Sequence, residues 1–565
     1  MSGSLFEPNR PEGSGDPSRD PSEAPGGTGG ETPVGPYRPS SYQSQYASGY
    51  PSREALAAHA AQPGHDPHDE DAAPLLGGPE PARRRGRTVA LVGGLLGIVV
   101  LGSGGAFAYS ALSGGGAQPE SVLPSTAVAF AKVDLDPSAG QKIDAVRFLR
   151  TFPKVKGKVS EDADLRKVAF EALQKDGTLK GVDYAKDVEP WLGQRLGVAL
   201  VPGASAKDEP TPVIALAVTD GDAARKSLPS LATGLGGACR VLEDYAVCTQ
   251  GKDGAVLDGV VTATGKGTLA DSADFRKDMA DLGEDGVAAA WFDSEKAAPV
   301  MAMLGGAAGV LPSGAANPAG SGRTAVALRF DGPNLELAGH VNGAKTQFMG
   351  TQRVGAALSG LPDDTLAAIS VANAGDQLKA AWPEMEKGLR TTLGSQQFED
   401  GLSQVQDALG ISVPQDLASA LGSQFTVAFG GMGTDGAPKV AVVGNGDQAV
   451  LQKIATAGSV LTSPDELAFR PGQGRSVLAF TDDYATEVAT GKGLGGMPGF
   501  KDSVRDVDKA RVAGYVDISG LVAAFKDESG SSKQDAADIA NLAALGFSAS
   551  GEGNSADFSV RLTTK

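Results

Sequence analysis

The chain has few of the residues from which most catalytic sites are built. Its 565 residues include 4 histidines, 2 cysteines and 3 tryptophans, and aromatic residues make up only 5%. Only one histidine, His340, lies beyond residue 112. A Ser-His-Asp triad needs a histidine beside its nucleophile, and most zinc sites need several His or Cys ligands. We therefore predict no catalytic residue, no metal ligand and no cofactor.

Sequence motifs for nucleotides and metals are also missing. Beyond Thr88 there is no G-x-S-x-G elbow, S-x-x-K, P-loop or EF-hand loop, and the glycines of GKGLGGMPG, residues 491–499, indicate a turn. The net charge of the chain is −18 at pH 7. Nucleic acids are bound mainly through Lys and Arg contacts to phosphates, so an acidic chain is a poor partner for them. We predict that the protein binds no nucleic acid.

Carboxylates are plentiful, with 68 Asp and Glu residues in the chain. Asp134, Asp293 and Asp517 each follow an apolar, strand-like run and precede a helix-like stretch. We interpret them as helix N-caps, because an Asp side chain at that position accepts a backbone N–H of the first turn. The alternative is an acid–base pair, as in glycoside hydrolysis, which needs no histidine. Such sites lie in aromatic-lined grooves, and this chain is poor in aromatic residues.

One segment is long and apolar enough to cross a membrane. Residues 88–112, TVALVGGLLGIVVLGSGGAFAYSAL, carry no charge, and about 20 apolar residues span a hydrocarbon core. Four arginines precede it within residues 83–87, and the first charge after it is Glu120. The positive-inside rule then places the N-terminus in the cytoplasm and the rest of the chain outside the cell. A signal peptide cleaved after residues 106–108 is the alternative, but its leader would be far too long.

The residues before this span have the composition of a disordered tail. Residues 1–82 are mostly Pro, Gly, Ser and acidic residues, which cannot bury enough apolar surface to offset chain entropy. We predict a disordered cytoplasmic tail, residues 1–87, that ends in the arginine cluster. Its tyrosines and histidines could serve signalling or weak metal binding, but no second motif supports a defined site. These residues are Tyr37, Tyr42, Tyr46, Tyr50, His59, His65 and His68.

Two blocks of the remaining sequence resemble each other in the same order. Each begins with a Leu-Pro pair, at residues 123–124 and 361–362. GVDYAKDVEPWLGQRLGVAL, residues 181–200, then parallels GISVPQDLASALGSQFTVAF, residues 410–429, without a gap. The offset between matched positions falls steadily along the chain. A chance resemblance would not stay collinear.

We therefore predict two tandem copies of one unit, at residues 121–342 and 359–565. Residues 113–120 form the linker that follows the span, and residues 343–358 connect the copies. Each copy interleaves alternating apolar, strand-like runs with helical segments such as FEDGLSQVQDALG, which indicates an α+β fold.

The only two cysteines lie in one predicted β-hairpin. CRVLEDYAVC, residues 239–248, has the pattern of two strands joined at Glu243-Asp244, which places Cys239 directly across from Cys248. Outside the cell such a pair most simply forms a structural disulfide, and free thiols are the alternative. A redox role would need Cys-x-x-Cys, which is absent.

The chain resembles an uncharacterised actinobacterial family of single-pass membrane proteins with a duplicated extracellular domain of unknown function. The resemblance is carried by the Leu-Pro start, by VDLDPSAGQKIDAVRFLRTFP at residues 133–153, and by the block around Trp191-Leu192-Gly193. It covers residues 83–565. It implies a cell-membrane location and no assigned activity.

These observations predict a membrane-anchored extracellular binding or scaffold module of the cell envelope with no identifiable catalytic site. Its partner would be an envelope component, a protein or an apolar ligand. Two alternatives remain, a carboxylate-dependent envelope hydrolase and a transmembrane signalling protein that acts through its tail. Facing carboxylates in a groove would favour the first alternative, and phosphorylation of the tail the second. The oligomeric state stays open, although Gly93 and Gly97 would let two spans approach closely.

Overall fold

The structure is a computed structural model. It describes residues 116–152, 166–174 in part, 182–203, 210–251, 254–297, 322–344, 349–434, 436–461, 467–491, 493–525 and 539–565. Over these residues helices and strands are mixed along the chain, and the named strands join one antiparallel sheet of sixteen. The predicted α+β class is confirmed.

The strands are numbered in chain order. They are β1 (Ala129–Asp134), β2 (Leu192–Val201), β3 (Thr211–Val218), β4 (Gly237–Leu242), β5 (Tyr245–Gln250), β6 (Ala288–Asp293), β7 (Arg323–Asp331), β8 (Asn334–Asn342), β9 (Ala367–Ala372), β10 (Gln424–Met432), β11 (Pro438–Gly444), β12 (Ala468–Arg470), β13 (Ser476–Ala479), β14 (Val512–Asp517), β15 (Leu542–Glu552) and β16 (Ser555–Thr564).

The order of the strands repeats on the two sides of the sheet's centre. Outward from the centre, the first side runs β8-β7-β6-β1-β2-β3-β5-β4 and the second runs β16-β15-β14-β9-β10-β11-β13-β12. We call these the first and second strand sets. β8 and β16 pair antiparallel at the centre, from Leu335 opposite Leu562 to Asn342 opposite Ser555. This pairing, the seam, makes the two strand sets one continuous sheet.

The helices lie between strands along the chain. They are α1 (Ala139–Arg150), α2 (Gly221–Leu235), α3 (Ala255–Thr264), α4 (Ala273–Leu282), α5 (Gly355–Ser359), α6 (Ala374–Leu393), α7 (Ser395–Leu409), α8 (Gln415–Leu421), α9 (Gln448–Leu461), α10 (Asp482–Thr490), α11 (Pro498–Ser503) and α12 (Ile518–Ala524). Single helical turns lie at Pro119–Val122, Tyr184–Val188, Leu269–Asp271, Leu494–Gly496 and Val507–Lys509.

One face of the sheet, the front face, carries the two largest hydrophobic cores. In the first set Phe130 and Trp291 pack with α3 and α4, and Phe275 of α4 meets both rings edge to face. In the second set Tyr515 packs with α10 and α11. Many strand positions on this face are alanines, such as Ala368, and their small side chains let the helices approach closely.

The opposite, back face is covered differently in the two strand sets. In the first set α1 lies on β7, where Phe148 contacts Phe330, and its cluster extends across the seam to Leu562. In the second set α6, the helix that follows β9 in the sequence, packs mainly on α7 and α8. Ile369 of β9 consequently stays 42% exposed on the back face.

Among the described residues, no helix combines the length and the apolarity that a membrane span requires. The predicted span, residues 88–112, lies outside the described residues, as do the tail and its tyrosines and histidines.

Candidate functional site

The two cysteines lie on the outermost strand pair of the first set. β4 pairs with β5 so that Leu242 is opposite Tyr245 and Cys239 is opposite Cys248, the register that the sequence predicts. The Cα atoms of the cysteines are 4.1 Å apart and their sulfurs are joined. Because β4 ends the sheet, this crosslink holds the edge strand to its neighbour.

Two of the three aspartates interpreted as N-caps lie at the start of helical turns. The Asp517 carboxylate accepts the backbone N–H of Gly520, at 2.8 Å, and caps α12. Asp293 accepts the backbone N–H of Lys296, at 3.1 Å. Both carboxylates are therefore engaged in local structure.

The interpretation of Asp134 as an N-cap is wrong. Pro137 separates β1 from α1, and the helix is instead capped by Ser138, whose hydroxyl accepts the backbone N–H of Gln141. Asp134 accepts a hydrogen bond from the Arg195 side chain, at 2.9 Å. It thus joins β1 to β2 through an ion pair.

The clearest polar concavity, the seam cleft, lies on the front face where β8 meets β16. It encloses about 190 Å³. Its lining residues come from both strand sets. They are Asp281, Arg329, Glu336 and His340 from the first set, with Arg505, Asp506, Ser548, Asp557 and Ser559 from the second.

Glu336 is the centre of charge in the seam cleft. Its carboxylate is completely buried and accepts hydrogen bonds from Arg329, at 2.8 Å, from Arg505, at 2.8 Å, and from the Ser559 hydroxyl, at 2.7 Å. Burial raises the pKa of Glu336, but the Ser559 hydrogen bond and the arginine charges outweigh burial and hold the pKa below its usual value. This carboxylate is therefore ionised and saturated with donors.

His340 lies in the same cleft. β16 pairs with β8 and leaves this residue only 8% exposed. Its Nδ1 lies 2.6 Å from an Asp557 oxygen, and its Nε2 lies 3.5 Å from Asp281. The hydrogen bond with Asp557 raises the pKa of His340, against the opposing effect of burial.

A second cavity, of about 270 Å³, lies beside the start of α1. Its one lysine, Lys132, is buried and pairs with Glu120, at 2.9 Å, and with Asp285, at 2.7 Å. Burial lowers the pKa of Lys132, but the two carboxylates raise it by more, so the ammonium stays charged. A protonated, paired lysine is neither a nucleophile nor a base.

Two carboxyl groups of the seam cleft, Asp281 and Glu336, have lowered pKa values. A general acid needs a raised carboxyl pKa, usually from an apolar environment. In the described part of the chain, the carboxyl pKa shifts that are resolved are all downward, at Asp271, Asp281, Asp293, Glu336 and Asp416. No group of three or more metal-binding side chains occurs in that part either.

The most unusual surface of the chain lies on the α6–α7 helical hairpin. Gly394 joins the two helices with a left-handed φ of 86°, which glycine adopts without strain. At its base the hairpin is fixed, because Gly375 lies against the backbone of α8 and Leu409 packs beside α9. Beyond the base, Phe398 is the side chain of this hairpin that is buried.

Four large apolar side chains of the hairpin face solvent. Met385, Leu389 and Leu393 are 46%, 39% and 47% exposed, and Val405 of α7 is 49% exposed. The first three recur every four residues and so lie on one side of α6. We call these four side chains the hairpin face. A row of large apolar residues that stays open is typical of a surface that binds a partner.

The charges of the hairpin are divided unevenly between its helices. In α6 the bases have acidic neighbours, and Arg390 pairs with Glu386 and reaches Glu399 of α7, at 2.7 Å. In α7 there is no base, and Asp400 and Asp407 have no basic partner among the described residues. Asp400 and Asp407 are seven residues apart and lie on the side of α7 opposite Phe398, Leu402 and Val405.

Sequence reasoning missed the hairpin face, although the signal was present. Leu378, Trp382, Met385 and Leu389 are spaced by four, three and four residues, and Phe398, Leu402, Val405 and Leu409 repeat that spacing. Such spacing identifies one apolar side of each helix. It does not reveal whether another element covers that side.

Comparison with known protein families identifies a match. A family profile described as "Protein of unknown function (DUF3352)" matches residues 88–443, more than half of the chain. The match includes the first strand set and, in the second, β9, β10 and most of β11. No curated protein and no solved structure matches the chain.

Proposed function

We propose that this chain, which belongs to the DUF3352 family of proteins of unknown function, is a membrane-tethered binding module whose folded region lies outside the cell and docks a partner through the hairpin face. The observation that carries the proposal is the exposure of Met385, Leu389, Leu393 and Val405, between 39% and 49% each. Large apolar side chains in a row lose free energy in water unless a partner covers them.

Two features support binding over hydrolysis. The carboxylates that line the two cavities are held by arginine, lysine, histidine or hydroxyl partners, as Asp134 is by Arg195 and Glu336 by Arg329. An acid–base pair would need one protonated carboxyl near an ionised one, with room for a sugar between them. The open apolar surface lies elsewhere, on the α6–α7 hairpin.

The membrane tether is residues 88–112. Its support is the sequence itself, an uncharged segment that follows the arginines of residues 83–87. The family match begins at the first residue of that segment. The positive-inside rule gives the orientation, with the hairpin on the outer side.

We also interpret the two strand sets as a tandem duplication. The identical strand order on the two sides of the seam supports this interpretation, as does the collinear sequence resemblance. The copies have since diverged on the back face, where α1 covers the sheet and α6 does not. Divergence at that helix fits a binding surface that is specific to the second copy.

Cysteine accessibility in cells tests the proposal. The two native cysteines are bonded to each other, so they give no background with a maleimide. Leu389→Cys reports on the hairpin face, and Lys387→Cys, whose side chain is 77% exposed, is the matched control on the same helix. A membrane-impermeant maleimide should label Lys387→Cys in intact cells, which tests the orientation.

Docking predicts that Leu389→Cys reacts at least tenfold more slowly than the control in native membranes. The exposures of the two positions in the unbound chain differ only about twofold. A rate ratio near two in native membranes would mean that nothing covers the hairpin face, and the proposed function would fail. Labelling of the control only after lysis would overturn the orientation.

A further inference from the structure

Two rows of apolar side chains cross the seam on the back face of the sheet. Alternate residues of a strand point to opposite faces, so the paired residues of neighbouring strands form rows across the sheet. One row runs from Leu328 of β7 to Val427 of β10, and the next runs from Val326 to Phe425. Every position in both rows is aliphatic, phenylalanine or glycine. We call these two rows the apolar strip, and its central side chains are Leu337, Val560, Phe547, Phe558 and Ile369.

The apolar strip is open, whereas the opposite side of the same strands is buried. Ile369 is 42% exposed, and every other strip residue that has a side chain is half-buried. Ala368 and Ser370, which flank Ile369 in β9 and point to the front face, are 7% and 0% exposed. A residue of an interior strand has neighbours on both sides, so its side chain is half-buried even where nothing lies above it. The strip is therefore a sheet face that lacks a full covering layer.

The apolar strip is recessed, because the rows next to it are covered. On one side α1 packs on Phe330, which is 5% exposed, and Phe525 at the end of α12 stacks on Phe429. On the other side Thr324 and Val341 are 1% and 3% exposed. A helix that lies on a sheet adds a layer about 10 Å thick. A broad, flat surface cannot reach the bottom of such a recess, whereas a slender chain can.

Two phenylalanine rings make the floor of the strip smooth. A Cβ at Gly339 would lie 2.0 Å from the ring of Phe558, and a Cβ at Gly514 would lie 2.1 Å from the ring of Phe547. Each ring therefore lies across the glycine of the neighbouring strand and does not stand upright. Glycine in an interior strand often marks a place where another group approaches the backbone closely. The two flat rings leave the apolar floor uninterrupted across the seam.

The dimensions and chemistry of the strip suit an alkyl chain better than a protein. From β7 to β10 the strip crosses neighbouring strands about 4.8 Å apart, which gives a length of about 29 Å, and its two rows are about 10 Å wide. That area, about 300 Å², is well below the roughly 800 Å² that each partner buries in a stable protein interface. Protein interfaces also contain about one hydrogen bond per 100–200 Å², and the side chains of the strip offer no donor or acceptor. A bilayer core about 30 Å thick holds two acyl chains end to end, so one long chain fits within the strip.

We infer that the apolar strip binds the alkyl chain of a single-chain amphiphile, such as a long-chain fatty acid, whose polar headgroup stays in water. Each CH₂ group of such a molecule that leaves water raises its affinity by up to about fourfold. A bilayer phospholipid already has its chains out of water, so it gains little from the strip. The inference goes beyond the proposed function, because it concerns the sheet and not the hairpin face.

The first test maps where a fatty acid attaches to the full chain in lipid nanodiscs. The probe is palmitic acid with a diazirine in its alkyl chain, which bonds covalently to nearby residues on illumination. We expect labelled peptides from β8, β9, β15 and β16, and an excess of unlabelled palmitic acid should reduce their labelling about tenfold. A phosphatidylcholine with the same diazirine chain, built into the nanodisc, should label these strands about tenfold less. Labelling that leaves these strands out, or stronger labelling by the phospholipid, would overturn the inference.

The second test places a charge in the strip. Ile369→Glu should reduce the labelling of the strip about tenfold, because an alkyl chain that covers the carboxylate would remove it from water. Ile143→Glu is the matched control, since Ile143 is 48% exposed on the side of α1 opposite the buried Ala145 and Leu149. It should change the labelling less than about twofold. Ile369→Gln, which adds no charge, should reduce the labelling about threefold and keeps the test valid if Ile369→Glu does not fold. Equal labelling of the Ile369 variants and the control would contradict binding in the strip.

Other occupants of the strip would give different results. If the α6–α7 hairpin closed over it, Ile369→Cys/Leu389→Cys would form a disulfide within one chain, and if a second copy covered it, Ile369→Cys alone would form a disulfide-linked dimer. Either disulfide, in a chain whose strip the fatty acid does not label, would overturn the inference. Protection of Leu389→Cys in native membranes reports on the hairpin face alone, so the proposed function and this inference can fail separately.

Discussion

Replacing Glu336 with alanine tests whether the buried charges of the seam cleft hold the two strand sets together. Glu336 lies on β8, and two of its partners, Arg505 and Ser559, belong to the second set. The substitution removes the anion and leaves arginines that face one another. We expect a large loss in the free energy of unfolding, since an uncompensated buried charge is costly.

The exposure of the arginines sets the size of the loss. Removing one member of a buried ion pair costs about 3–5 kcal/mol. The Arg329 and Arg561 side chains are 17% and 10% exposed, whereas Arg505 is 40% exposed and can turn toward water. Arg561 also keeps its pairing with Asp331. We therefore expect the lower end of the range, about 3 kcal/mol, for Glu336→Ala.

Equilibrium unfolding of the full chain in urea, followed by tryptophan fluorescence, measures this loss. Asp258→Ala is the matched control, because its pair with Arg240 is at the surface, with side chains 64% and 49% exposed. It should cost less than about 1 kcal/mol. Equal, small losses for both variants would refute the reasoning that the seam depends on a buried anion.

Acidification provides a second measurement on the same residue. The pKa of Glu336 is lower in the folded chain than its usual value, so its contribution is complete above the unfolded pKa, about 4.3. That contribution is lost as the pH falls through the folded pKa. The difference in stability between the wild type and Glu336→Gln should accordingly shrink on acidification below pH 4, and a constant difference would contradict the assignment.

Three further predictions concern other residues. The pKa of His340 is raised in the folded chain, so its stabilising contribution is complete below about pH 6.5 and is lost as the pH rises through the folded pKa. His340→Gln should therefore flatten the pH dependence of the melting temperature between pH 5 and 9. Cys239→Ser/Cys248→Ser should lower the free energy of unfolding by about 2–3 kcal/mol, and reductant should then have no further effect on a denaturation curve. A Cβ at Gly339 would lie 2.0 Å from the ring of Phe558, so Gly339→Val should lower the melting temperature. Adding Phe558→Ala should recover part of that loss. A melting temperature of Gly339→Val equal to that of the wild type would refute the contact.

Local features of the fold could be predicted from the sequence. The β4–β5 hairpin follows from ten consecutive residues, because the turn at Glu243-Asp244 fixes which residues are opposite each other. The α+β class follows from alternating and helical periodicities in the same way. The prediction for Asp134 failed because Pro137 delays the start of α1, and Ser138, one position later, provides the cap.

Features that depend on distant contacts could not be predicted. His340 is buried by β16, whose residues lie more than 200 positions further along the chain, and no local pattern identifies that partner. The exposure of the hairpin face also depends on contacts between distant parts of the chain. Apolar periodicity marks one side of α6, but its exposure depends on where the helix packs, and α6 packs on α7 and α8 while α1 lies on the sheet.

The position of β16 has a consequence for how this chain is made. β16 is the last strand in the sequence, yet it occupies the middle of the sheet beside β8. During synthesis, at about 5–20 residues per second, roughly ten to forty seconds pass between the completion of β8 and the completion of β16. An unpaired strand edge can meanwhile recruit other nascent chains. Shortening the C-terminus by even one strand would leave such an edge in every molecule, so fragments that end before Ser555 should aggregate rather than fold as half-proteins.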